Sequence, residues 1–272
     1  MNNKYSQNFL QDPKLVQRLI DVSSLKNTDT VIEIGPGLGI ITKALAARCK
    51  NVIAIEIDPS LVQSLQLTFK NYNNVQVIKK DFLEYQLPTY GYKIFSNIPF
   101  SITAAILRKL LGESDAVSDL YLITQKQVAE KYCGEPSETL ASILNKPFFD
   151  FSIIHQFSRK DFLPEANVDC SMLRAKRLAK PLIERKNIDL FRDFVCFGFA
   201  GNKSNLKKTY KDVFGHVQFL RLSTEFNFSP DAKPTNLSLS QWMGIFNYFN
   251  SNVAAFRQLK VRGSYMRVAE HK

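Results

Sequence analysis

Long apolar runs are missing from this 272-residue chain, and no window approaches the roughly 18 consecutive apolar residues of a membrane span. The opening stretch, Met1-Asn2-Asn3-Lys4-Tyr5-Ser6-Gln7-Asn8, has no apolar segment of the secretory kind. The expectation is a cytoplasmic protein with no membrane partner. Histidine and cysteine are scarce. The three histidines (His155, His216, His271) and four cysteines (Cys49, Cys133, Cys170, Cys196) form no C-x-x-C clip. No metal site is therefore expected, and the thiols read as small reduced packers. Glycine and proline, 11 each, are too few for a collagen-like or low-complexity chain.

What is present is ordinary globular material, 45% hydrophobic and 22% charged. The length suits one large core with a smaller appendage. Charge is unevenly spread. Residues 179–272 hold 15 basic and 7 acidic side chains, an excess of 8, whereas residues 1–178 hold 21 and 18, an excess of 3. Basic excess in the last third points to a polyanion-facing surface.

Strand and helix patterns alternate after an N-terminal arm of ten residues. Asp12-Pro13 is an N-cap followed by a first-turn proline, with Leu15, Val16, Leu19 and Ile20 at helical spacing. Strands are expected at 30–34, 51–57, 75–78, 92–97 and 120–124, and helices at 40–48, 58–70 and 101–111. This is βαβ order, hence a mainly parallel sheet whose ligands sit beyond the carboxyl ends of the strands. Residues 174–186, broken by Pro181, read as the end of a last strand and a linker. Helical patterns follow at 189–199, 204–214 and 240–249, the last preceded by an N-cap in Asn236-Leu237-Ser238. The fold class expected is α/β, with a first domain over 1–178 and a small helical basic domain over 179–272.

Four motifs fall at strand ends. Glu33-Ile34-Gly35-Pro36-Gly37-Leu38-Gly39 is a glycine-rich turn whose backbone can approach a ligand closely. Its G-x-G-x-G spacing is not the nicotinamide fingerprint. The acidic Glu33 would repel phosphate and suits a cationic ligand. Glu56, 17 residues after Gly39, can accept both ribose hydroxyls of a nucleoside. Asp81 can accept from an adenine amino group, or simply cap a helix. The sharpest motif is Asn97-Ile98-Pro99-Phe100. An exocyclic adenine amine is a poor nucleophile because its lone pair is delocalised into the ring. The Asn97 side-chain oxygen and the Ile98 carbonyl can hold that amine, Pro99 fixes the turn without a competing N–H, and Phe100 can stack a flipped-out base.

With these motifs the chain resembles the S-adenosylmethionine-dependent rRNA adenine-N6 methyltransferases. The likeness runs from Tyr5-Ser6-Gln7-Asn8-Phe9-Leu10 through E-I-G-P-G-L-G, A-I-E-I-D, K-K-D-F and N-I-P-F to Phe162-Leu163-Pro164. It implies a Rossmann-like methyltransferase domain. It also implies a cofactor-binding set of Gln7, Asn8, Leu10, Gly35, Gly37, Glu56, Ile57, Asp81, Phe82 and Asn97. The catalytic set it implies is Asn97, Ile98, Pro99 and Phe100, with Phe162 as a second aromatic wall for the target base. Within the family, N-I-P-F rather than N-L-P-Y, the segment Ser204–Phe214 and Leu239-Ser240-Gln241-Trp242 resemble the Erm branch. That branch methylates one adenine of 23S rRNA, in the peptidyl-transferase region, and confers macrolide, lincosamide and streptogramin B resistance. The alternatives are the housekeeping 16S rRNA dimethyltransferases, a DNA adenine methyltransferase, or an RNA-binding relative without activity. Phe100 stands where tyrosine is commoner, and Ala166 where the family pattern has a second proline. A monomer is expected, with Lys203, Lys207, Lys208 and Lys211 as candidate phosphate contacts.

Overall fold

A computed structural model describes residues 8–112, 116–200 and 205–270. The expected alternation is found. Strands β1 (Phe9–Leu10), β2 (Thr30–Ile34), β3 (Asn51–Glu56), β4 (Val75–Lys79), β5 (Tyr92–Asn97) and β6 (Val117–Gln125) are interleaved with helices α1 (Pro13–Asp21), α2 (Ile40–Arg48), α3 (Pro59–Thr68) and α4 (Thr103–Gly112). Helices α5 (Lys126–Cys133) and α6 (Leu140–Asn145) precede β7 (Phe149–Phe157), β8 (Phe162–Leu163) and β9 (Cys170–Arg177). Helices α7 (Ile188–Ala200), α8 (Leu206–Thr209), α9 (His216–Glu225), α10 (Leu239–Asn252), α11 (Ala255–Gln258) and α12 (Ser264–Glu270) complete the chain.

The main sheet has seven strands in the order β4-β3-β2-β5-β6-β9-β7. The run from β4 to β6 is parallel, and β9 is antiparallel to β6. Local chemistry sets the helix starts. Asp12 accepts from Lys14 N at 2.8 Å ahead of Pro13, and Asp58 accepts from Ser60 N at 2.8 Å ahead of Pro59. The apolar face of α1 (Leu15, Val16, Leu19, Ile20) packs into one core with Val31, Phe95 and Tyr121. Each such fully buried side chain contributes roughly 1.5–3 kcal/mol.

The chain divides into two compact units, 1–129 with 150–177, and 130–149 with 178–272. The sequence reading divides the chain once, between 178 and 179, whereas the second unit here begins at Leu178 and also takes in residues 130–149. The reason is apolar. Ile143 belongs to the same buried cluster as Phe191, Phe194, Trp242, Phe246 and Phe249, and Leu140, Leu144 and Phe148 pack against it. The second unit is closed by aromatic contacts around Phe194, whose carbonyl accepts from Tyr210 Oη at 2.6 Å. In place of the helix expected over 204–214, only Leu206–Thr209 is helical within the described part.

The N-terminal arm is likewise not free along its length. Phe9–Leu10 pairs antiparallel with Phe162–Leu163. Among the described residues no helix is long and apolar enough to cross a membrane, and no cluster of three His, Cys, Asp or Glu side chains could hold a metal. The four cysteines are buried and in no disulfide, and burial raises Cys49 and Cys170 to about 11.

Candidate active site

The carboxyl ends of β4, β3, β2 and β5 lie side by side in the sheet, which brings Asp81, Glu56, the glycine turn and Asn97 to one edge. The turn after β2 is anchored by Gly35 N, which donates to Ile55 O at 2.9 Å. Gly35 (φ 63°) and Gly37 (φ 56°) take left-handed conformations. A Cβ added to Gly37 would collide with the Phe9 ring.

Glu56 is 1% exposed. Its Oε1 accepts from Ile57 N (2.8 Å) and Asp58 N (3.0 Å), and its Oε2 accepts from Gly37 N (3.2 Å). A carboxylate offers about four lone-pair directions, so this arrangement leaves about one, on Oε2, for a ligand hydroxyl. The sequence reading gave it two. Ile57 is 38% exposed beside it. Asp81 performs the capping role considered for it, accepting from Leu83 N at 2.8 Å, and its Oδ2 has no partner among the described residues. Phe82 is buried, with the Lys109 ammonium 6.0 Å from its ring centre.

Glu33 departs from the expectation for a cationic ligand. It is buried, and its Oε2 accepts from Thr42 Oγ1 at 2.6 Å. Burial, reinforced by the charge of Glu56, pushes its carboxyl up to about 8. Buried and bonded to Thr42, it is not placed to present its charge to a ligand.

A pocket open to solvent is lined by Asn8, Phe9, Gly35, Asn97, Ile98, Pro99 and Phe100. Asn97 ends β5, and its Nδ2 donates to Asn8 O at 2.6 Å. A carbonyl can only accept, so the amide is fixed with Nδ2 towards Asn8, and Oδ1 is left without a partner among the described residues. Ile98 N donates to Ile123 O at 3.2 Å, and the Ile98 carbonyl accepts no hydrogen bond among the described residues. Two oxygens at adjacent positions are thus available to an amine. Pro99 opens the short turn Phe100–Ile102, and Phe100 is half-buried.

Phe162 stands apart from its sequence assignment. It is 1% exposed and packs against Phe157, with ring centres 5.4 Å apart, so it presents no face to a base. Its pairing with Leu10, itself buried, draws both residues into the core. Gln7 lies outside the described residues, as do Tyr5, Ser6 and Lys203. Two residues went unselected in the sequence. Phe9 lines the pocket, and Leu38 is 68% exposed at the tip of the glycine turn. An aromatic next to Asn8 and a large apolar residue between two turn glycines were the available signals.

Comparison with known proteins adds four findings. A family model described as "Ribosomal RNA adenine dimethylase" matches residues 1–251. Ribosomal RNA small subunit methyltransferase A of Francisella tularensis subsp. tularensis is 28% identical over 256 residues, covering 90% of this chain and 95% of that protein. The crystal structure of the 23S rRNA methyltransferase ErmE matches with a TM-score of 0.83 at 26% identity, covering 90% of this chain and 100% of that one. A dimethyladenosine transferase from Plasmodium falciparum shares the fold, with a TM-score of 0.73 at 20% identity over 89% of this chain and 97% of that one.

Proposed function

The chain belongs to the ribosomal RNA adenine dimethylase family and is an S-adenosylmethionine-dependent rRNA adenine methyltransferase, and from that premise we propose that it methylates N6 of one adenine in the peptidyl-transferase region of 23S rRNA, conferring macrolide, lincosamide and streptogramin B resistance. The observation that carries the site assignment is the pair of unpartnered oxygens, Asn97 Oδ1 and Ile98 O, at the pocket.

The residues present fit the cofactor. Gly35, without a side chain, gives the pocket a wall of backbone. Asp81 Oδ2 and the remaining lone pair of Glu56 are acceptors of the kind a nucleoside needs. Asn8, Gly35, Gly37, Glu56, Ile57 and Asp81 would hold it. When bound, the cofactor supplies a methyl group on a sulfonium, an activated electrophile with a neutral leaving group.

The chain's own residues do the rest. Asn97 Oδ1 and Ile98 O accept the two amine hydrogens and hold N6 with its lone pair drawn out of conjugation. Pro99 keeps a competing N–H out of that corner. Phe100 gives the unstacked base a ring to lie on. The surplus proton passes from N6 to water once the new bond has formed, so no strong base is required. In the second unit, Lys207, Lys208 and Lys211 contact RNA phosphates.

The 23S reading draws on N-I-P-F, on the Erm-like segments at 204–214 and 239–242, and on the likeness to ErmE. A second reading, dimethylation of 16S rRNA, is favoured by the Francisella relative. Incubation with tritiated cofactor and either protein-free 23S rRNA or small-subunit particles separates them, followed by primer extension. Label in 23S rRNA, with drug resistance on expression in a macrolide-sensitive bacterium, supports the proposal. Label confined to 16S rRNA selects the second reading. No label in either overturns both.

A further inference from the structure

The family match ends at residue 251, and the structured segment beyond it has a character of its own. No acidic residue occurs between Asp231 and Glu270. Within residues 254–268 stand Arg257, Lys260, Arg262 and Arg267, none of them ion-paired among the described residues. The segment is a built part of the second unit. Val261 is fully buried in its aromatic cluster, and Ser264 is buried. Asp193 of α7 accepts from Gly263 N and Tyr265 N, both at 2.9 Å.

Its outer face contradicts its burial. Phe256 of the short α11 is 67% exposed, Leu259 at its C-cap 63% and Met266 of α12 61%. Large apolar groups held in water on a rigid support mark an interaction site. The Arg257 guanidinium lies 5.7 Å from the centre of the Phe256 ring, so a cation and a π-face stand together. Exposed aromatic surface interleaved with cations that carry no acidic partner suits a nucleic-acid strand, whose bases stack and whose phosphates need counter-charge. A membrane surface fits less well, because α11 has only four residues and cannot lay a long amphipathic face on lipid.

We propose that residues 254–267 form an RNA-docking face, with Phe256 as the stacking platform for an unpaired base and Arg257, Lys260, Arg262 and Arg267 as phosphate contacts. The proposal rests on the rRNA methyltransferase reading and adds a contact outside the catalytic pocket.

The test is fluorescence anisotropy of the full chain with a labelled single-stranded oligoribonucleotide of about 12 nucleotides. Phe256→Ala is expected to weaken binding roughly five- to 150-fold, with Phe256→Trp close to the parent. Arg257→Ala with Lys260→Ala should lower the salt slope by about 1.4 for the two lost contacts. In methyl transfer to rRNA, Phe256→Ala should raise KM and leave kcat unchanged. Circular dichroism of each variant should match the parent, because these side chains lie outside the core. Equal RNA affinity of Phe256→Ala and the parent overturns the docking face. So does a dimer in light scattering that Phe256→Ala dissolves, or Phe256-dependent co-sedimentation with phosphatidylserine vesicles in place of RNA binding. A parent enzyme that binds the oligonucleotide through Phe256 yet labels no rRNA would instead sink the methyltransferase reading.

Discussion

Asn97 donates its amide N–H to the carbonyl oxygen of Asn8 at 2.6 Å, across 89 positions of sequence. This bond joins the N-terminal arm to the tip of β5 and decides which end of the amide remains available. Asn97→Ala removes both the tether and one acceptor for the target amine. Methyl transfer should fall roughly 100- to 1000-fold in kcat, the scale of one preorganised hydrogen-bonding group. Melting temperature should change little, since the residue is only half-buried. Steady-state transfer of tritiated methyl and a thermal melt check the two halves, and full activity would remove Asn97 from the mechanism.

Gly37→Ala places a methyl group against the Phe9 ring and forces a side chain into φ 56°. The backbone alone costs about 1–2 kcal/mol. Cofactor affinity should drop about tenfold or more, read by calorimetric titration, because Gly37 N is also a donor to Glu56. Unchanged affinity would mean that the turn relaxes freely.

Glu33 makes stability depend on pH. Its folded carboxyl sits at about 8, against 4.5 as the ordinary value, so the folded state holds a proton that the unfolded chain has released. Stability is therefore fully present below the unfolded value and is lost as pH rises through 8, by up to about 1.4 kcal/mol per pH unit inside that window. Glu33→Gln keeps an acceptor for Thr42 and removes the titration. Its melting temperature should gain on the parent steadily from pH 5 to pH 8. Parallel curves for the two proteins would show that Glu33 is already ionised when folded.

Lys207, Lys208 and Lys211 bear on RNA affinity without touching chemistry. Replacing Lys208 and Lys211, both exposed, with alanine should reduce the slope of log affinity against log salt by about 0.7–0.9 per contact. The turnover number on saturating RNA should stay as it was. Filter binding at several salt concentrations measures the slope, and an unaltered slope would place the phosphate contacts elsewhere.

Much of the first unit was legible from residue order. Strand limits at 30–34 and 92–97 and the helix at 40–48 coincide with the structure, because period, caps and turn glycines act over a few residues. The strand within the arm and β7 were not read. Phe9–Leu10 becomes a strand only by meeting Phe162–Leu163, and β7 is an outer strand whose partner β9 lies later in the chain.

The catalytic corner divides in the same way. Residue order by itself determined that Gly35, Glu56, Asp81 and Asn97 follow successive strands, and a parallel sheet places such residues along one edge. Only the tertiary structure decided what each group does there. It buried Phe162 behind Phe157, turned Glu33 to Thr42 and raised its carboxyl by burial, spent three lone pairs of Glu56 on backbone N–H groups, and fixed the Asn97 amide through Asn8. Each of these depends on desolvation or on a hydrogen bond whose partner is set by packing, and those are properties of the space around a side chain rather than of its neighbours in the chain.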